Sequence, residues 1–290
     1  MTDIRNKTAF ITGGASGIGL ALARALLSEG ANTVIADVEA GALERAQQML
    51  DAPADRLMTC VLDVTDRAAF ANARDAAVDA MGGVQLVFNN AGVNAAGPVQ
   101  EMTYQDFDWV LGVNLGGVVN GVVTFLPELQ RHGPAAHLIN TASVGGLLGM
   151  RGLSIYNASK FGVVGLSEAL RADLEGTGIG VSVLCPGIID TALASSERNR
   201  PAHLRNADAA TVETPPDSEA APANPIAMSA DEFAALALDA VVQDRFWVCS
   251  HPEFEPLVAQ RNASVQSGFT GAPDPAKVDA MSGLILPFET

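Results

Sequence analysis

Short apolar, β-branched runs alternate with longer segments of helical period along most of this chain, and that alternation constrains its fold more than any other feature. Residues 7–12, 33–37, 57–63, 85–89, 137–141, 180–185 and 246–249 read as strands, several of them apolar throughout. A strand apolar on both faces must be covered on both, as happens in a parallel sheet with crossover helices. Helices are expected near 17–29, 40–50, 66–81, 103–131, 154–176 and 230–244. The last is opened by Ser229 with Glu232 three positions on, a capping-box pattern. The sustained alternation predicts an α/β fold, a doubly wound, Rossmann-like parallel sheet of seven strands with helices on both faces. No internal repeat is visible. With 290 residues, 48% of them hydrophobic, residues 1–290 are expected to form a single domain.

The first strand runs straight into Thr12-Gly13-Gly14-Ala15-Ser16-Gly17-Ile18-Gly19 and then into a helix. Glycines there permit a tight turn and let the backbone approach a pyrophosphate, whose charge would sit at the positive end of the following helix. Glycine patterns alone are weak. This one has a strand before it, a helix after it, and Asp37 at the end of the second strand, the context that makes it informative. A P-loop is excluded, because no Gly-Lys-Ser/Thr follows.

A second stretch, Ser154-Ile155-Tyr156-Asn157-Ala158-Ser159-Lys160, sets a phenol and an ammonium four residues apart, on one face of a helix. A tyrosine in water ionises near pH ~10, and lowering that by about three units needs roughly 4 kcal/mol of preferential stabilisation of the anion. An ammonium at ~4 Å in an effective dielectric of ~20 is worth about that much. The pair is therefore a candidate acid–base site.

Net charge is −16 with a pI near 4.5, which argues against nucleic acid or an anionic membrane surface as partner. Asp3, Arg5 and Lys7 precede the first apolar run, so neither a signal peptide nor a membrane span is expected to begin there, and a cytoplasmic location is expected. Cys60, Cys185 and Cys249 are odd in number and far apart, which fits reduced buried thiols. The histidines show no metal-ligand spacing, and no metal is expected.

Taken in order, these motifs resemble the short-chain dehydrogenase/reductases in their common short branch. The match covers about residues 5–191: Thr12-Gly-x-x-x-Gly17-x-Gly19, Asp63-Val64, Asn89-Asn90-Ala91-Gly92, Asn114, Ser143, Tyr156-x-x-x-Lys160, and Pro186-Gly187 with Thr191 beyond. The glycine spacing differs from that of the family's longer, epimerase-like branch. The resemblance implies an enzyme that moves a hydride between a secondary alcohol and nicotinamide. Tyr156 would carry the alcohol proton, Ser143 would hydrogen-bond the reacting oxygen, Lys160 would hold the ribose and lower the Tyr156 pKa, and Asn114 would hold a water linking Lys160 to solvent. The cofactor would contact Gly13, Ser16, Gly17, Ile18, Gly19, Asp63, Val64, Asn90, Ala91, Gly92, Tyr156, Lys160, Pro186, Gly187, Ile189 and Thr191. NAD is the expected cofactor: Asp37 would accept the adenosine ribose hydroxyls and repel a 2′-phosphate, and Ala15, Ser16 and Val38 offer no positive charge to welcome one. Family analogy also implies a homodimer or homotetramer, with helices around 103–131 and 154–176 paired across a two-fold axis.

Residues 192–228 are rich in Ala, Pro, Asn, Asp and Glu without a clear period, and in the family this region is a lid over the substrate. The facing loop, 144–153, carries Leu147, Leu148, Met150 and Leu153 and would suit a bulky, apolar alcohol. The strings Phe10-Ile11-Thr12-Gly13-Gly14-Ala15-Ser16-Gly17, Tyr104-Gln105-Asp106-Phe107-Asp108-Trp109 and Gly112-Val113-Asn114-Leu115 are similar to bacterial Cα-dehydrogenases, which oxidise the benzylic alcohol of lignin-type β-aryl ethers. Hydroxysteroid and other secondary-alcohol dehydrogenases stay open as alternatives. A non-catalytic dinucleotide-binding scaffold would be free to lose Asn114, Ser143, Tyr156 or Lys160, and none is missing.

Overall fold

The computed structural model describes residues 3–206 and 225–282. Its strands are β1 (Thr8–Thr12), β2 (Asn32–Asp37), β3 (Leu57–Val61), β4 (Leu86–Asn89), β5 (His137–Thr141), β6 (Gly180–Cys185) and β7 (Trp247–Cys249). They form one sheet in the order β3-β2-β1-β4-β5-β6-β7, every neighbouring pair parallel. Thus the chain winds outward from β1 to β3, then returns to build β4 on the other side of β1. At that reversal the crossovers leave in opposite directions and open a crevice at the carboxyl ends of β1 and β4.

The helices are α1 (Gly17–Ser28), α2 (Ala40–Leu50), α3 (Arg67–Met81), α4 (Tyr104–Leu111), α5 (Gly117–His132), α6 (Ser154–Asp173), α7 (Ala230–Val242), α8 (Glu255–Ser267) and α9 (Pro275–Ser282). Strand side chains alternate between two cores, one per face. Ala9, Ile11, Ile35, Phe88 and Leu184 pack under α1, α2 and α7, whereas Phe10, Val34, Val87, Leu138 and Val183 pack under α3, α5 and α6. On the second face Phe10 meets Phe125 at 4.7 Å between ring centroids, with Phe70 beside both.

The expected helix over 103–131 is interrupted by a π turn at Gly112–Gly116, which carries Asn114, and starts from a capping box between Thr103 and Asp106. Residues 104–135 are long and apolar enough by composition to cross a membrane, with mean hydropathy 1.6 over the best window. Half of that window is buried within the fold, where Trp109, Val110, Val118, Phe125 and Leu129 face the core. The capping box of α7 forms as the sequence predicts: the Ser229 hydroxyl accepts from Glu232 N at 3.2 Å and Ser229 N donates to the Glu232 carboxylate at 3.0 Å.

Three expectations need correction. β3 ends at Val61, not at 63, because the chain turns there: Thr65 N and Oγ1 both donate to Asp63 Oδ1, at 2.9 and 2.7 Å. Helices α8 and α9 were not read from the sequence, and no α8 side chain is buried, so no apolar stripe announces that helix. The cysteines are not all buried, Cys249 being exposed, and Cys185 and Cys249 are register partners across β6 and β7.

Candidate active site

The crevice is a cavity of about 720 Å³ along the carboxyl ends of the central strands. Gly13 and Ser16 come from the β1–α1 turn, Gly17 and Ile18 from the start of α1, Asp37 from the end of β2, and Asp63 and Val64 from the turn after β3. Asn90, Ala91 and Gly92 follow β4, Ser143 follows β5, Tyr156 and Lys160 come from α6, and Pro186, Gly187, Ile189 and Thr191 follow β6. Of the residues expected to bind cofactor or act in catalysis, Gly19 and Asn114 do not line it. Gly19 lies behind the turn, where a Cβ would overlap the Gly13 carbonyl and come 2.8 Å from Asn90 Nδ2, so it permits α1 to close against the loop. Asn114 is fully buried.

Hydrogen bonds fix the floor of the crevice. Thr12 Oγ1 donates to Phe88 O at 3.3 Å and accepts from Asn90 N and Ala91 N at 2.9 and 3.0 Å, stitching β1 to the end of β4. Asn90 Nδ2 donates back to Thr12 O at 3.1 Å. Gly13 adopts φ +64°, and a Cβ there would lie 2.9 Å from Ala91 Cα, so both its backbone angle and its neighbour require glycine. Ser16, the residue before α1, makes no side-chain cap, and the first turn of α1 carries no acid; the helix presents open N–H groups to the cavity.

At the far end of β2, the Asp37 carboxylate is 9% exposed and accepts from Ala15 N and Glu39 N, each at 3.1 Å. Burial raises its pKa, with those two backbone donors opposing.

At the opposite end, Tyr156 and Lys160 share one face of α6, with the Lys160 Nζ 5.6 Å from the Tyr156 ring centroid. Lys160 is buried; its ammonium donates to Thr141 O at 2.8 Å, and burial pushes its pKa down to about 8. Burial pushes the Tyr156 phenol above its ordinary value of 10, opposed by a hydrogen bond with Ser143. The expected lowering of the Tyr156 pKa by Lys160 is not seen: burial dominates the shift of the phenol, and the ammonium donates to Thr141 O. Ser143 Oγ accepts from Gly145 N at 3.0 Å. Asn114 grips the segment after β4: Oδ1 accepts from Val93 N at 2.8 Å, and Nδ2 donates to Val93 O at 3.0 Å and Ser159 Oγ at 3.1 Å. A Cβ on Gly92 would lie 3.5 Å from Asn114 Oδ1 and 3.7 Å from Lys160 Nζ, so the two groups flank the same point.

Residues 192–206, the described part of the expected 192–228 lid, supply one wall of the cavity, although no individual side chain of that wall was singled out in the sequence. Leu193, Ser196, Arg198, Pro201, His203 and Leu204 all line the cavity, in and between the 3-10 segments Ala192–Asn199 and Ala202–Leu204. Ser196 Oγ accepts from Asn94 N at 2.9 Å, and Arg198 pairs with Glu39 at 2.7 Å. Residues 207–224 of the expected 192–228 lid lie outside the described residues. Leu147, Leu148, Met150 and Leu153, read as the apolar wall, do not line the cavity; Asn157 Nδ2 bonds the carbonyls of Gly145 and Leu148 and holds that loop to α6. The apolar side chains that do line the cavity include Val93, Trp109, Val113, Leu193 and Leu204. No cluster of potential metal ligands occurs among the described residues.

The family model for short chain dehydrogenase matches residues 7–202. The chain belongs to the short-chain dehydrogenase family. As a family member it is an oxidoreductase acting on CH–OH groups. It is 43% identical to a C alpha-dehydrogenase of Sphingobium sp. strain SYK-6 over 203 residues, covering 70% of this chain and 67% of that one. A short chain dehydrogenase/reductase from Burkholderia phymatum, solved in complex with NAD, superposes with a TM-score of 0.85 at 37% identity, covering 94% of this chain and 99% of that one. The apo form of LigD from Sphingobium sp. strain SYK-6 superposes at 0.77 with 31% identity, covering 93% and 100%.

Proposed function

We propose that this dehydrogenase interconverts a bulky, largely apolar secondary alcohol, an aryl carbinol of the kind found in lignin-type β-aryl ethers, and its ketone, using NAD. The observation that carries the reading is the placement of Tyr156, Ser143 and Lys160 at one end of a cavity whose other end holds Asp37. The cavity fits the cofactor: an uncapped helix start and a glycine turn for the pyrophosphate, Asp37 for the adenosine ribose, and a volume within the usual range for cofactor sites. Bound NAD supplies the hydride acceptor. Tyr156 moves the alcohol proton, Ser143 hydrogen-bonds the reacting oxygen, and Lys160 holds the nicotinamide ribose and adds positive charge beside the phenol. Asn114 positions Val93 and Ser159 beside them. Residues 192–206 form the described part of a lid.

The substrate class is supported by the walls: Val93, Trp109, Val113, Leu193 and Leu204 are among the lining, and each apolar contact of leucine size is worth roughly 1.5–3 kcal/mol when fully buried. Support also comes from similarity to the Sphingobium C alpha-dehydrogenase. The test is reduced-nicotinamide absorbance on mixing protein and NAD with aryl carbinols, hydroxysteroids, short alcohols and polyols in parallel. Aryl carbinols should give the highest kcat/KM. Polyols or sugars as best substrates would overturn the substrate class, and no turnover of any CH–OH compound would favour a dinucleotide-binding scaffold. The cytoplasmic location expected from the N-terminal residues and the dimeric or tetrameric state expected by analogy are part of this proposal, and size-exclusion chromatography with light scattering checks the assembly.

A further inference from the structure

Three acids, Asp37, Glu39 and Asp63, line the cavity at the carboxyl ends of β2 and β3, and a guanidinium lies among them. Arg198 reaches Glu39 from the far side of the crevice, with Nη2 donating to Oε1 at 2.7 Å and Nε to Oε2 at 3.3 Å. Asn199 Nδ2 adds a bond to Glu39 Oε1 at 2.9 Å. Arg198 Nη1 is engaged by its own segment, donating to Ser195 O at 2.8 Å and Ser195 Oγ at 3.0 Å. Glu39 in turn gives its backbone N–H to Asp37 Oδ1 at 3.1 Å, and Asp37, Glu39 and Arg198 line the same cavity, so the ion pair lies at the end of the crevice expected to take the ribose. Although burial alone would raise the Glu39 pKa, bonds from Arg198 and Asn199 outweigh it and hold the carboxyl below its ordinary value, charged at neutral pH.

An arginine beside the ribose site is the ordinary means of accepting a 2′-phosphate, which a guanidinium binds through paired N–H donors. This chain has the arginine in reach and a glutamate holding it. We infer that Glu39 is a second determinant of cofactor choice, acting by sequestering Arg198, and that NAD selectivity therefore depends on a contact from the 192–206 segment as well as on Asp37. The inference rests on the NAD reading and deepens it. Repulsion from Asp37 disfavours the phosphate; Glu39 removes the cation that would offset that repulsion.

The test is a binding cycle, read by calorimetric titration of NAD and NADP into the purified protein without substrate. Wild type, Glu39→Gln, Arg198→Ala and the double variant are compared. Glu39→Gln should shift the NADP-to-NAD affinity ratio toward NADP by about tenfold or more, the scale of one charge-assisted contact released to a phosphate. Arg198→Ala should leave the ratio at or below the wild-type value, and the double variant should return to within about threefold of it. A Glu39→Gln ratio that does not move, or a double variant that keeps the full gain, overturns the inference, the latter by showing that loss of an acidic charge alone is responsible. A wild type that binds NADP as tightly as NAD contradicts the NAD reading itself, whatever the variants do. Circular dichroism of each variant separates a misfolded protein from a changed preference, and Glu39→Ala provides a second variant if the glutamine fails to fold.

Discussion

Arg200 and Asp106 form an ion pair at 2.7 Å with side chains only 3% and 6% exposed, and the guanidinium carbon lies 5.2 Å from the centre of the Trp109 ring. Burial would raise the Asp106 pKa, but bonds from Thr103, Arg200 and Asn206 bring it below its ordinary value. Segment 192–206 is thereby pinned to the start of α4 behind the substrate wall. The two partners differ in what they leave behind. Asp106→Ala removes the buried carboxylate that accepts from Thr103 N and from Asn206, and leaves Arg200 with Glu197 at 3.2 Å and Leu204 O at 2.7 Å, so it should cost about 2–4 kcal/mol of stability. Arg200→Met leaves Asp106 with its Thr103 and Asn206 donors and should cost clearly less, roughly 1–2 kcal/mol. Denaturant unfolding of both variants measures the order, and equal losses would contradict it.

Lys160 makes stability depend on pH. Its pKa in the fold is about 8, against 10.5 as the ordinary value, so between these pH values the unfolded chain binds more protons than the folded one. Stability must then rise with pH across that window, and below pH 8 the fold carries the full cost of a buried ammonium. That shift corresponds to roughly 3 kcal/mol. Lys160→Met should therefore be more stable than the wild type at pH 7 without cofactor, and the gap should shrink toward pH 10. Thermal unfolding of both proteins from pH 7 to 9.5 checks it; a gap independent of pH would show that the ammonium carries no such cost.

The strands, the glycine turn and the Tyr156–Lys160 face of α6 were legible because each is a local pattern, with apolar runs for a sheet covered on both sides and one helical turn between phenol and ammonium. What escaped was set by distant contacts. Glu39 and Arg198, or Asp106 and Arg200, leave no local signal of their pairing. Leu147 and Leu148 read as apolar wall, but which side of a loop faces a cavity depends on what holds it, here Asn157. The π turn around Asn114 is invisible to a helical period, since the residues still look helical and only the hydrogen-bond partners change. Cys185 and Cys249 sit far apart in the chain and side by side in the sheet for the same reason.

Leu204 lines the cavity while its carbonyl accepts from Arg200 Nε at 2.7 Å. Leu204→Ala keeps that backbone contact and removes only apolar surface. It should raise KM about tenfold for an aryl carbinol and less than about twofold for 2-propanol, with NAD affinity unchanged. Steady-state kinetics with both alcohols decides, and equal effects would remove Leu204 from the substrate wall.

The central claim is that Tyr156 carries the proton while the rest of the crevice binds the cofactor. Tyr156→Phe keeps the ring and removes the carrier, so single-turnover hydride transfer measured beside an NAD titration tests it most directly. The expected result is NAD affinity within about threefold of wild type and hydride transfer slowed by about 10²-fold or more, the ordinary contribution of a positioned acid–base group. A Tyr156→Phe enzyme that transfers hydride at more than about a tenth of the wild-type rate would contradict the assignment.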